Sequence, residues 1–203
     1  MVLVDFNGLA IGSIMGQLGR GEELSSNLVK HIILNNLRMY RKKYPETEYN
    51  KMIICCDSLS WRKDVYPEYK ANRATARDKD KHDWQMIWDL IDETLTDIRE
   101  NFPYAVIKID KAEADDIIGA LVKHQANAVL HGPITIISAD KDFIQLQKYG
   151  LVQQWSPLFD KMVYDPAPSK YLFDHIMKGD SSDGVPNVLS SDNCLVDHIR
   201  QSP

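Results

Sequence analysis

Nine acidic residues in this chain sit where an apolar run ends or the backbone must turn. Asp5 and Asp57 close the short runs VLVD and MIICCD. Glu113, Asp115 and Asp116 lie in KAEADD, directly after YAVIKID. Asp140 and Asp142 follow ITIISA, and Asp180 and Asp183 occupy the Gly-flanked stretch GDSSDG. Carboxylates a few ångströms apart repel by roughly 1 to 4 kcal/mol per pair, depending on the local dielectric. A cluster of them persists either protonated or around divalent cations. Oxygen donors suit Mg²⁺, with Mn²⁺ as its substitute. Two such ions about 3.5 to 4 Å apart form a clamp for in-line displacement at a phosphodiester. An acid in a turn is ordinary, and acids at a helix start favour the dipole. Five separate segments that all end this way point to a site.

The second feature is cationic. From Arg62 to Lys81 there are seven Lys or Arg against four Asp or Glu. That is a local charge of +3 in a chain whose net charge is −5. Arg62, Lys63, Lys70, Arg73, Arg77, Lys79 and Lys81 are interleaved with Trp61, Tyr66 and Tyr69. Cations grip phosphates and aromatic faces stack on bases. A generic charge run is a solvated loop. One that directly follows Asp57 is placed to draw a polyanion towards the acids.

The elements that must position these residues read as alternating strands and helices. Strands are predicted at MVLVDF, KMIICCD, YAVIKID and ITIIS, with a fifth at Leu151–Trp155 and its partner at Lys161–Tyr164. Asn7-Gly8 is expected to break the chain after the first. Helices are predicted over about Glu23–Tyr44, Asp83–Asn101, the segment KAEADDIIGALVKHQ and Ser169–Met177, from apolar residues at helical spacing. Solid apolar strands alternating with helices indicate an α/β fold with a mostly parallel sheet covered on both faces. In such a sheet the C-terminal strand ends share one edge, where ligands bind. All nine carboxylates are expected there. Trp84 and Trp88, at i and i+4, read as core, as do Cys55 and Cys56. The six histidines show no metal spacing and read as surface or packing residues.

Composition removes other classes. With 203 residues, 44% hydrophobic and 26% charged, the chain matches neither disordered, collagenous nor coiled-coil sequences. Its apolar runs are too short to span a bilayer, and Asp5 inside the first one argues against a signal peptide. Three cysteines offer no disulfide framework or zinc spacing, which fits a reducing cytoplasm.

Together these motifs resemble the 5′-nuclease superfamily, the flap endonucleases and polymerase-linked 5′→3′ exonucleases, and most of all its T-even-type phage branch. The carriers are R-x(6)-Y-K-x-x-R from Arg62 to Arg73, E-A-D-D from Glu113, S-A-D-K-D-F from Ser138, Q-W-S-P from Gln154 and G-D-x-x-D-G-V-P from Gly179. The resemblance implies a first metal near Asp5, Asp57, Glu113, Asp115 and Asp140. It implies a second near Asp116, Asp142, Asp180 and Asp183, held largely through water. It places Lys70 and Arg73 on the scissile phosphate at the start of a helical arch, with Arg62 and Tyr69 along the approach and Lys63, Arg77, Lys79 and Lys81 as further nucleic-acid contacts. The implied reaction is Mg²⁺-dependent hydrolysis of RNA or DNA from a 5′ end or at a flap, as in removal of RNA primers at a replication fork. The implied partners are DNA and RNA:DNA with 5′ ends or flaps and proteins of the fork, with a monomer in the cytoplasm, that of the host if phage-encoded. The expected organisation is a catalytic core over 1–188, with the arch at about 62–81. Residues 189–203 are expected to begin a C-terminal helical DNA-binding region, truncated here. Three alternatives compete. A dehalogenase-type phosphatase needs an Asp two residues after Asp5, where Asn7 stands. A PIN-type single-strand ribonuclease lacks the basic element, and a degenerate binding module would not keep nine acids.

Overall fold

The computed structural model describes residues 1–21, 23–128 and 132–202, with the side chains of 74–76 and 78 outside the description. Six strands form one sheet: β1 (Val2–Asp5), β2 (Met52–Cys56), β3 (Ala105–Lys108), β4 (Ile134–Ile137), β5 (Val152–Ser156) and β6 (Lys161–Val163). Their order is β3-β2-β1-β4-β5-β6. All neighbours are parallel except the β5–β6 hairpin. The order reverses between β1 and β4, the switch point at which a parallel sheet leaves a crevice beyond its strand ends.

The helices are α1 (Phe6–Leu18), α2 (Ser26–Lys43), α3 (Glu46–Tyr49), α4 (Arg62–Val65), α5 (Ala71–Asp78), α6 (Trp84–Asn101), α7 (Ala114–Ala126) and α8 (Pro168–Lys178), with a 3₁₀ helix at Lys141–Lys148. Strand alternation sorts the core. Val2, Val4, Ile54 and Ile137 pack on one face with Ile14 of α1, Ile33 and Leu37 of α2 and Ile91 and Ile98 of α6. Leu3, Cys55, Ile134 and Ile136 pack on the other face with Ile117, Ile118 and Val122 of α7. Each fully buried side chain of this size contributes about 1.5–3 kcal/mol, so the strand ends are held by a rigid two-sided sheet. Among the described residues, no helix is long and apolar enough to cross a membrane.

Four details differ from the sequence expectations. The chain does not break at Asn7-Gly8, because α1 starts at Phe6 and Asp5 caps it by accepting from the Gly8 N–H at 3.1 Å. Phe6, Leu9, Ala10 and Ile14 form its buried stripe, which carries the helix despite glycines at 8, 12 and 16. β3 is an edge strand with its ends exposed rather than a buried run. The stretch after β4 that carries Asp142, where no helix was predicted, is the 3₁₀ helix, capped by Asp140. Trp84 and Trp88 are half-buried against the core, and Arg77 lies over both rings at 5.5 and 5.4 Å.

The basic segment forms α4 and α5, joined by residues 66–70, and it is fastened to the turn after α8. The Lys70 N–H donates to the Asp183 carbonyl at 2.7 Å, and the Tyr66 hydroxyl donates towards the Gly184 and Asp192 carbonyls. Gly184 has φ +76°, and a Cβ there would lie 2.9 Å from the Glu68 carbonyl oxygen. Gly184→Ala is therefore expected to cost at least about 1–2 kcal/mol from the left-handed backbone alone. A fall in melting temperature checks this; an unchanged value would mean that Gly184 does not hold the left-handed turn.

Candidate functional site

The carboxylates gather beyond the ends of β1, β2 and β4. Asp5, at the end of β1, accepts from the Ser138 hydroxyl at 2.8 Å. Asp57 accepts from the Ala114 N–H at 2.8 Å, which ties the end of β2 to the start of α7. Asp140 accepts from the Asp142 N–H at 2.9 Å, and its own N–H donates to Ser138 Oγ at 3.1 Å. Gln154, fully buried on β5, donates to the Ser138 and Asp140 carbonyls at 3.0 and 2.5 Å and so holds that loop against the sheet.

These acids crowd one another. Burial pushes Asp115 up to about 8, with Asp5, Asp140 and Asp57 adding to the effect. Asp5 is raised to about 6 by burial, then by Asp57 and Asp140. Burial likewise raises Asp57. Asp5, Asp57, Asp115 and Asp140 therefore make one group without a neutralising partner equal to their charge. Asp142 and Asp180 belong to a second group with Asp183: burial and Asp140 raise Asp142 to about 6, with Asp180 and Asp183 contributing. Asp180 accepts from the Ser182 N–H and hydroxyl at 2.8 and 2.6 Å. Those bonds outweigh its burial and hold it below the usual carboxylate range.

Between the groups stand acids already paired with cations. Glu113, almost buried, accepts from Lys70 Nζ at 2.7 Å, Arg62 at 3.0 Å and the Tyr69 hydroxyl at 2.9 Å. Burial opposes its ionisation, but Lys70, Tyr69 and Arg62 prevail and keep its carboxyl low. Asp116 accepts two bonds from Arg62 at 2.9 Å and, at 3.0 Å, the Glu113 N–H, in a reciprocal cap at the start of α7. Burial again opposes ionisation, and Arg62 outweighs it. Arg73 pairs with Asp183, whose other oxygen lies 3.1 Å from the Tyr69 hydroxyl. Asp116 thus faces Arg62 in the metal-free protein.

The residues expected to contact nucleic acid divide in the same way. Lys63, Lys79 and Lys81 are exposed, whereas Arg77 lies on the tryptophan pair. Tyr69 is only 6% exposed and its hydroxyl faces carboxylates, so it offers no open stacking face. Of the three interleaved aromatics, Trp61 is the exposed one. The histidine expectation needs correction: His175 on α8 brings Nε2 to 3.2 Å from Asp142 Oδ1 and 3.4 Å from Asp180 Oδ2. Its signal was its place five residues before Asp180, on a helix ending at Gly179. Ser138 and Gln154 were present in the S-A-D-K-D-F and Q-W-S-P motifs, but their bonds were not readable. A cavity of about 690 Å³ opens at Asp115, Asp116, Asp142, His175, Asp180 and Asp183. A second, of about 720 Å³, opens on the other side of Asp5 and Asp140.

The crowding has a pH signature. Asp115, near 8, and Asp5 and Asp142, near 6, stand above the ordinary aspartate value of 3.8. The folded state keeps protons that the unfolded chain has released. Their stabilising contribution is complete below pH 4 and is lost as pH rises through about 6 and then about 8. The metal-free protein is expected to melt at progressively lower temperature from pH 5 to 8.5, and a rising melting temperature over that range would contradict the arrangement.

The molecule is thus an α/β protein whose mostly parallel, doubly covered sheet carries a carboxylate-lined edge at its switch point. Residues 2–170 match the model of the 5′-3′ exonuclease, N-terminal resolvase-like domain, and the chain belongs to that family. It is 36% identical over 192 residues to ribonuclease H of Enterobacteria phage T4, covering 92% of this chain and 62% of that protein's length. The fold is shared with a bacteriophage T5 protein co-crystallised with metal ions, at a TM-score of 0.72 and 16% identity, covering 97% of this chain and 73% of that one. It is also shared with the T5 flap endonuclease in a complex with DNA and metal ions, at 0.70 and 19%, covering 92% and 69%.

Proposed function

We propose that the chain is a divalent-metal-dependent 5′ nuclease, a 5′→3′ exonuclease and flap endonuclease acting on DNA and RNA:DNA. Residues 1–188 are its catalytic core, and removal of RNA primers at a replication fork is its setting. The observation that carries the reading is the convergence of carboxylates from five separated segments on the switch-point edge, with Lys70 and Arg73 fixed beside them. The donor set fits hard divalent cations: it is dominated by oxygen, and its buried acids lack enough positive charge around them. Asp5, Asp57, Asp115 and Asp140 would hold one Mg²⁺, with Glu113 beside it. Asp142 and Asp180 would hold the second, with Asp183 and Asp116 reached through water. Bound there, the ions would supply water activation and neutralisation of the developing negative charge.

The chain's own residues do the rest. Lys70 and Arg73 compensate Glu113 and Asp183 in the metal-free protein. Once divalent cations share those carboxylates, the two side chains are available to a phosphate placed between the acids and α5. Lys63, Lys79 and Lys81 attract the strand without choosing the bond, since contacts of this kind position rather than specify. The two flanking cavities leave room for a strand on either side of the rim.

Turnover of a 5′-flap oligonucleotide and of an unpaired RNA of equal length, each with Mg²⁺ or with chelator, tests the proposal. Mg²⁺-dependent cutting that favours the flap is expected. Cutting confined to the unpaired RNA would indicate a PIN-type ribonuclease, and binding without turnover a degenerate module; either would overturn it.

A further inference from the structure

His175 is unlike the rest of the rim: it is a nitrogen donor among oxygens. It sits in the last turns of α8. Gly179, at φ +70°, then turns the chain so that Asp180 comes back beside that turn. Tyr171, one turn earlier, lies parallel to the imidazole with ring centres 5.9 Å apart and planes at 11°, which fixes the plane of the ring. Nε2 points between Asp142 and Asp180, at 3.2 and 3.4 Å from their oxygens. One ligand atom from each of the three residues lies within 4.8 Å of those from the other two. An octahedral ion with bonds of about 2.1 Å sets adjacent donors about 3.0 Å apart. The nitrogen is therefore already close to the edge length that such an ion needs.

We infer that His175 is a direct nitrogen ligand of the ion held by Asp142 and Asp180, and that this position prefers late first-row divalent cations such as Co²⁺, Fe²⁺ or Zn²⁺ to Mg²⁺. The inference rests on reading Asp142 and Asp180 as ligands of a second ion. Its chemical ground is that imidazole raises affinity along the order from Mn²⁺ towards Zn²⁺ but gains little with Mg²⁺, which favours oxygen. The two positions of the rim then differ in kind. Asp5, Asp57, Asp115 and Asp140 make an all-oxygen site. Asp142, His175 and Asp180 make a mixed one, able to hold a transition metal while the first holds Mg²⁺.

Cobalt titration of the full chain, followed by calorimetry and proton NMR, tests this. Wild type is expected to bind two Co²⁺, with one strongly shifted exchangeable imidazole resonance. His175→Asn should lose that resonance and weaken one Co²⁺ by about tenfold or more, while Mg²⁺ affinity changes less than about threefold. Asp115→Asn should keep the resonance and lose the other ion. Absence of a shifted resonance in wild type, or equal weakening of Co²⁺ and Mg²⁺ in His175→Asn, would mean that His175 only orients the carboxylates, and would overturn the inference with the two-ion reading intact. Failure of wild type to bind either metal would overturn both.

Discussion

Asp115→Asn is expected to slow cleavage by about 10³-fold while raising the melting temperature of the metal-free protein at pH 8. The two effects share one cause. Asp115 is raised further than Asp5 or Asp142, to about 8, because it is buried and lies near Asp5, Asp140 and Asp57. Charging it in the metal-free site costs stability, and an amide of the same shape removes that cost. Divalent metal needs the charge, however, and an amide is a poor ligand. If the ion supplies about 4 kcal/mol of transition-state stabilisation, the loss is about 10³-fold in rate. Single-turnover rates on a 5′-flap substrate at saturating Mg²⁺, beside thermal melts without metal, check both halves. Near-wild-type turnover would remove Asp115 from the metal site. A lower melting temperature would mean that the side chain is satisfied in a way the crowding does not allow.

Lys70→Met is expected to slow cleavage by about 10²–10³-fold, the usual loss when one donor to a developing oxyanion is removed. Arg73→Met should behave similarly. Methionine keeps much of the apolar stem, and Glu113 retains Arg62 and Tyr69 as partners, so the fold should stand. Lys79→Ala gives the contrast. Lys79 is exposed, so its loss should weaken binding and flatten the salt dependence with little change in the bound-state rate. Measuring substrate affinity and single-turnover rate separately for each variant decides the matter. If all three affect affinity alone, the segment is only an electrostatic patch.

Much of this was legible because the strands announce themselves. VLVD, MIICC and ITII are buried runs whose ends are marked by acids, and an acid after a parallel strand has one edge to face. The sheet, its two faces and the antiparallel β5–β6 pair follow from that periodicity. α1 was hidden because Gly8, Gly12 and Gly16 lower helix propensity, although Phe6, Leu9, Ala10 and Ile14 carry its stripe. Gly8 has a further reason to be small, since a Cβ there would lie 2.6 Å from Asp5 Oδ2. The pairing of Arg62 with Asp116, and of Lys70 with Glu113, was not legible. It depends on α4 and α5 folding back over α7 from more than forty positions away in the chain. His175 was missed for a related reason. Its partner Asp142 lies on a different element, and metal spacing within one segment cannot reveal a site built from the 3₁₀ helix, α8 and the turn after it.

Anomalous diffraction from crystals soaked in Mn²⁺ would show whether the rim is a two-ion metal centre. Two peaks are expected. One should lie among Asp5, Asp57, Asp115 and Asp140, and the other beside Asp142, His175 and Asp180. A map with no peak at the end of β1, or with manganese bound only elsewhere on the surface, would mean that the rim is not a two-ion centre.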